Sequence, residues 1–194
     1  MQDFSGYKKE QLTIDLAKAN VYAIVLIIPI VLVFGLPFYL LWKNNISTDG
    51  IKSYLDTLNP ILRMLLIVLS IVIGIILHEL IHGITWSFFA SKGFKSIKFG
   101  ILWKMLTPYC HCTEPLKVKH YILGAIMPAI ILGFIPYIIA IITGNFPLLL
   151  FGMFFTMVAV GDFMIINLIR KENVDDYVQD HPSEAGCYIY RKAH

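Results

Sequence analysis

Four long apolar runs constrain this chain more than any other feature. They cover about residues 21–42, 61–90, 121–143 and 147–169. Each supplies the roughly 20 residues a helix needs to cross about 30 Å of hydrocarbon. Only 15% of the chain is charged and 57% is hydrophobic, against about 25% and about 45–50% in soluble domains. The expectation is an all-α membrane protein: one multi-pass domain over residues 1–194, with about four transmembrane helices, a short cytoplasmic loop holding a small β-hairpin, and a cytoplasmic tail over 170–194. The second run exceeds one crossing, so it tilts or projects. The first contains Pro29 and Pro37 and follows about 20 residues carrying Asp3, Glu10 and Asp15, which does not fit a cleaved signal peptide. A formal net charge of +3 leaves no footprint for nucleic acid.

Basic residues orient the spans. Lys8, Lys9 and Lys18 precede the first run. Lys92, Lys95, Lys98, Lys104, Lys117 and Lys119 lie between the second and third. Arg170, Lys171, Arg191 and Lys192 follow the fourth. With four spans these thirteen residues share one side, and only Lys43, Lys52 and Arg63 fall on the other. The positive-inside rule places both termini and the long loop in the cytoplasm. Cys110, Cys112 and Cys187 then face a reducing compartment, and an odd number of thiols implies no disulfide framework.

Within the second run stands "IILHELIHGITW", residues 75–86. Ionisable groups inside a span are costly and mark function by default. His78 and His82 are four residues apart and project from one helix face. That spacing lets two imidazoles grip one metal ion, with Glu79 beside a coordinated water, the His-Glu-x-x-His arrangement of zinc hydrolases. A chance match or a polar packing cluster is the alternative.

A catalytic zinc site usually has three protein ligands. Asp162, in "VAVGDFMIINLI", is the carboxylate inside the fourth run. Counting about 1.5 Å per residue from the cytoplasmic ends puts it within about two turns of the histidine pair. It is the candidate third ligand, with a buried ion pair or carboxylic acid as the alternative. Small residues prepare close helix approach: Ser70, Gly74, His78, His82 and Trp86 form one stripe, and Gly152, Thr156, Ala159 and Asp162 another. In "GAIMPAIILGFIP" Pro128 and Pro136 predict a kink or break in span three.

The loop over 91–119 reads as the least helical part. "FKSIKFGILW" and "TPYCHC" predict a hairpin, either a flap or an edge that holds substrate by strand addition. The tail "DHPSEAGCYIY" predicts a short amphipathic element at the cytoplasmic mouth. Asp180, His181, His111 and Glu114 remain further candidate ligands.

Together, HELIHG, "TPYCHCTEPL", "MPAIILGFIP", the Gly161-Asp162 pair and "DHPSEAG" resemble the bacterial putative zincin peptidase family, across nearly the whole chain. More distantly the chain resembles the site-2 proteases, intramembrane zinc metalloproteases, although its aspartate follows a glycine and lacks their Asn-Pro-type motif. The resemblance implies a bacterial cytoplasmic membrane and one zinc ion per chain. His78, His82 and Asp162 would be its ligands and Glu79 the general base. The activity it implies is hydrolysis of peptide bonds in membrane-protein or peptide substrates. The rival class is a non-catalytic metal-binding membrane protein, a transport accessory or signalling scaffold.

Overall fold

The computed structural model describes residues 4–44, 58–102, 107–181 and 184–192. Helix α1, Leu16–Trp42, contains both prolines of the first run. Helix α2, Pro60–Ser87, begins where Asn59 Oδ1 accepts the Ile61 N–H at 2.9 Å. Pro60 stands in the first turn, where its missing N–H has no intrahelical partner to lose. Along α2 the buried residues are Gly74, His78, His82, Gly83 and Trp86. All but Gly83 belong to the predicted small-residue stripe, whose Ser70 stays exposed. Ile61, Met64, Leu65 and Ile76 remain exposed on other faces, as apolar side chains meeting lipid do.

The third run forms helix α3, Val118–Pro128, a wide π-helical turn over Ala129–Phe134, and helix α4, Ile135–Thr143. Pro136 has no N–H to donate to the preceding turn and its ring crowds it, so the chain widens there rather than breaking. Helix α5, Phe146–Val158, packs closely on the widened turn: a Cβ at Gly133 would overlap the Thr156 hydroxyl, and one at Gly152 would meet the Gly133 carbonyl oxygen at 2.7 Å. The fourth run is not one straight helix. It divides at Ala159, and helix α6, Val160–Ile169, is bent from α5 by 42°. Three stretches, Ile24–Trp42, Pro60–Ser87 and Val118–Thr143, are each long and apolar enough to cross a membrane, and α5 with α6 reaches that length as a bent pair.

The all-α expectation is overturned: the fold is mixed, with two antiparallel sheets. Strands β2, Ile97–Leu102, and β3, Thr107–Cys112, form the hairpin anticipated in the loop. The other sheet has the order β1-β6-β5-β4, from β1 (Tyr7–Thr13), β4 (Leu116–Lys117), β5 (Tyr177–Asp180) and β6 (Gly186–Lys192). The short amphipathic element expected in the tail takes the form of two strands, β5 and β6. In β6, Cys187 and Ile189 are buried while Tyr188 and Tyr190 are only partly so, the two-residue alternation of a strand with one covered face. β1 pairs Tyr7 with Lys192 and Thr13 with Gly186, so segments from opposite ends of the sequence complete one sheet. Such pairing leaves no local turn signal, and hydropathy read as helices alone misses it.

A core of Trp86, Tyr121, Leu116, Val118, Ile169, Val178 and Ile189 joins this sheet to the ends of α2, α3 and α6. Burial pushes the Cys112 thiol up to about 11 and the Cys187 thiol up to about 12, so both stay protonated at neutral pH. A second cluster of Phe34, Phe38, Ala140 and Leu149 seats α1 against α4 and α5. The hairpin doubles back along α2. Ile97 and Phe99 pack where a Cβ at Gly83 would stand, and further along β3 the Cys110 amide faces Glu79.

Candidate metal centre

His78 and His82 are buried on α2, each 4% exposed, and Asp162 meets them from the first turn of α6. The bend at Ala159 turns that aspartate toward α2. His78 Nε2 lies 3.1 Å from Asp162 Oδ2, His82 Nε2 lies 3.2 Å from Asp162 Oδ1, and the two Nε2 atoms are 3.2 Å apart. The small-residue stripe permits this closeness: a Cβ at Gly74 would overlap the Phe155 ring of α5.

The histidines' outer nitrogens differ. His82 Nδ1 lies 2.9 Å from the Gly124 carbonyl oxygen. A carbonyl only accepts, so Nδ1 carries a proton and Nε2 is the ring nitrogen that faces the centre. His78 Nδ1 is buried without a hydrogen-bond partner among the described residues. Stacking holds His82 further. Its ring lies 5.1 Å from Trp86 at 16°, and Trp86 lies 5.1 Å from Tyr121 at 23°. The Trp86 Nε1–H donates to the Tyr121 carbonyl oxygen at 3.0 Å. A Cβ at Gly124 would overlap the Trp86 indole, which is why α3 comes close enough to offer its carbonyl.

This donor set fits a metal ion. Two nitrogen lone pairs and a carboxylate repel one another unless a cation or shared protons stand between them. Ligand atoms about 2.0–2.1 Å from a tetrahedral zinc ion lie roughly 3.3 Å from each other, close to the 3.1–3.2 Å found here. Among the described residues, His78, His82 and Asp162 form the one group of three or more such side chains able to hold an ion.

A cavity of about 370 Å³ opens onto the group, with Glu79, Tyr109, Cys110 and Asp180 among the residues around it and no lysine or arginine among the described residues that line it. Glu79 lies next to the histidine pair, and the Cys110 backbone amide addresses its carboxylate. The outward edge of β3 is largely occupied. Thr113 N–H donates to Ser96 O at 2.8 Å, so odd-numbered residues turn toward β2 and Pro108, Cys110 and Cys112 turn away from it. Pro108 has no N–H, the Cys110 amide meets Glu79, and the Cys112 N–H donates to Asp180 Oδ2 at 2.8 Å. A substrate strand would find carbonyls there, not free donors.

The other candidates do not join the group. His111 Nδ1 is 4.0 Å from Asp180 Oδ2. Glu114 accepts from the Ser91 N–H and hydroxyl and from the Ser96 hydroxyl, closing the turn after α2. His181 Nδ1 accepts the Glu184 N–H at 2.9 Å. Asp180 stands in the cavity wall, where Tyr121 donates its hydroxyl to Oδ1. Burial raises the Asp180 carboxyl from its ordinary value, and the bonds from Tyr121 and Cys112 pull it back. Trp86 was legible in the sequence only as a member of the packing stripe, and Tyr121 and Gly124 only as part of the third apolar run.

No curated protein and no solved structure matches the chain, so the likeness to site-2 proteases rests on its motifs alone. The profile of the putative zincin peptidases matches residues 71–177, more than half of the sequence and all of His78, Glu79, His82 and Asp162, and the chain belongs to that putative zincin peptidase family.

Proposed function

We propose that the protein is a membrane-embedded zinc endopeptidase that cuts membrane-associated polypeptides. The observation that carries this reading is the convergence of His78, His82 and Asp162 within 3.1–3.2 Å, beside Glu79, on helices long and apolar enough to cross a membrane singly or as a bent pair. The two Nε2 atoms and the Asp162 carboxylate would hold the ion, the carboxylate offsetting part of its charge. When bound, zinc supplies Lewis acidity to the attacking water and to the scissile carbonyl.

The other groups manage protons and geometry. The Glu79 carboxylate takes a proton from the attacking water and returns it to the leaving amine. The Cys110 amide orients that carboxylate from β3. The Gly124 carbonyl keeps the His82 proton on Nδ1, away from the centre. The bond to be cut has to leave its helix, since a helical carbonyl is already hydrogen-bonded, and the cavity gives it room and water.

The pairings of β1 with β6 and of β4 with β5 support the orientation. They gather the N-terminal strand, the C-terminal strand and the start of α3 at one end of the helices. Chain ends on one side require an even number of crossings. The bent α5–α6 pair then counts as one and the total is four. Lysine asymmetry makes that side cytoplasmic.

The test is Glu79→Gln, which keeps size and polarity and removes the base. Zinc content should be unchanged, and cleavage should fall by about 10²–10⁴-fold, the usual contribution of general acid–base catalysis. Membrane proteomes of cells expressing the wild type and the variant should differ by uncleaved proteins that accumulate in the variant. Identical proteomes from a fully zinc-loaded wild type would favour the non-catalytic reading.

A further inference from the structure

We propose that Asp180 is a positioning residue of the metal centre, fixing through one carboxylate both the strand that addresses Glu79 and the aromatic stack that holds His82. This rests on the metal reading above and extends it to a residue outside both the motif and the 71–177 match. Asp180 ends β5. Its Oδ2 accepts the Cys112 N–H at 2.8 Å and its Oδ1 accepts the Tyr121 hydroxyl. The first bond acts on β3. Cys110 and Cys112 turn their amides to the same edge, so anchoring the second sets the height of the first against Glu79. The other bond acts on α3. Tyr121 stacks on Trp86 and Trp86 on His82, so the hydroxyl holds the far end of a column whose near end is a metal-ligand candidate.

Chain geometry adds a reason for a carboxylate here. Cys112 is buried, and an unsatisfied amide in such a place is costly. The Cys112 amide and the Tyr121 hydroxyl are both donors, so one side chain with two acceptor oxygens satisfies both. Asparagine has one acceptor and would set an N–H₂ against one of the two donors.

The experiment uses the full chain in lipid nanodiscs and cobalt(II) alone as the probe, since a site of this kind takes cobalt and reports its ligand geometry in visible absorption. Asp180→Asn should still bind about one cobalt per chain, but 10–100-fold more weakly, the usual effect of losing a partner that orients a ligand, and with shifted visible bands. Tyr121→Phe keeps the ring and loses only the donor; it should show a smaller loss, and the double variant should be no weaker than Asp180→Asn. Ile189→Val, a change at a fully buried position of the same sheet, should lower the melting temperature and leave cobalt affinity alone. The proposal is overturned if Asp180→Asn and Tyr121→Phe bind cobalt with wild-type affinity and bands, or if Ile189→Val weakens binding as much. Should Asp180→Asn fail to fold, Tyr121→Phe decides by the same criterion. A wild type that binds no cobalt would overturn the metal reading together with this one, whereas a wild type that binds, with unaltered variants, overturns this one alone.

Discussion

The metal centre and the four-stranded sheet touch at Tyr121 and Asp180, yet they are assembled by opposite routes. In the centre, His78, Glu79 and His82 lie within five consecutive residues of α2, so helix geometry alone sets both imidazoles on one face. Only Asp162 comes from afar, and a small-residue stripe announces where its helix approaches. In the sheet, every pairing joins distant segments except that of β5 with β6: Tyr7 meets Lys192 and Leu116 meets Val178. The centre sits in apolar helices that lipid can support from outside. The sheet needs its own covered face, provided by Val178, Cys187 and Ile189. Chemistry is thus encoded locally, and the support that steadies it is encoded at long range.

Trp86 tests the junction of the two regions. It belongs to the core under the sheet and also stacks on His82. Trp86→Ala should cost about 3–5 kcal/mol, as burial of so large a ring implies, and should weaken metal binding as well. Thermal unfolding and metal content in one preparation would show whether both fall. Loss of stability with unchanged metal affinity would separate the regions.

Gly74 probes the centre alone. A side chain there meets the Phe155 ring, so Gly74→Leu should force α2 from α5 at a cost of about 1–3 kcal/mol. It should lower metal occupancy while the sheet stays intact by hydrogen exchange. Protection lost first from β1 and β6 would contradict the division.

These cases also show what was legible. The stripe of Gly74, His78, His82 and Trp86 was readable because period and helix coincide. The 97–112 hairpin was readable because its strands are neighbours. β1 was hidden: "YKKEQLT" is short, polar and charged, and nothing within it names a partner some 180 residues on. Asp180 was visible as a candidate ligand in "DHPSEAG", but its role depends on Cys112 and Tyr121, which no spacing rule connects to it.

The sheet has its own pH probe, with a smaller effect. The Arg191 guanidinium grips Glu172 through Nε at 2.7 Å and Nη2 at 2.8 Å, and also binds Glu10. Those hydrogen bonds hold the Glu172 carboxyl below its usual 4.5. A depressed folded-state value means that the stabilisation is present above pH 4.5 and is lost as pH falls through the folded value. Sheet melting should therefore become easier below about pH 4.5, by up to about 1 kcal/mol for a partly exposed pair, and Arg191→Gln should remove that dependence. An equal acid response in the variant would assign it to other carboxylates.

The central claim is that α2 and α6 together make a zinc site, and metal analysis of purified variants tests it most directly. The wild type should carry about one zinc per chain. His78→Ala, His82→Ala and Asp162→Ala should each remove most of it, while Glu79→Gln should retain it. A wild type free of zinc after reconstitution, or full occupancy in His78→Ala and His82→Ala, would contradict the account. Full occupancy in Asp162→Ala alone would remove α6 from the site and return His111, Glu114 and His181 as positions to test.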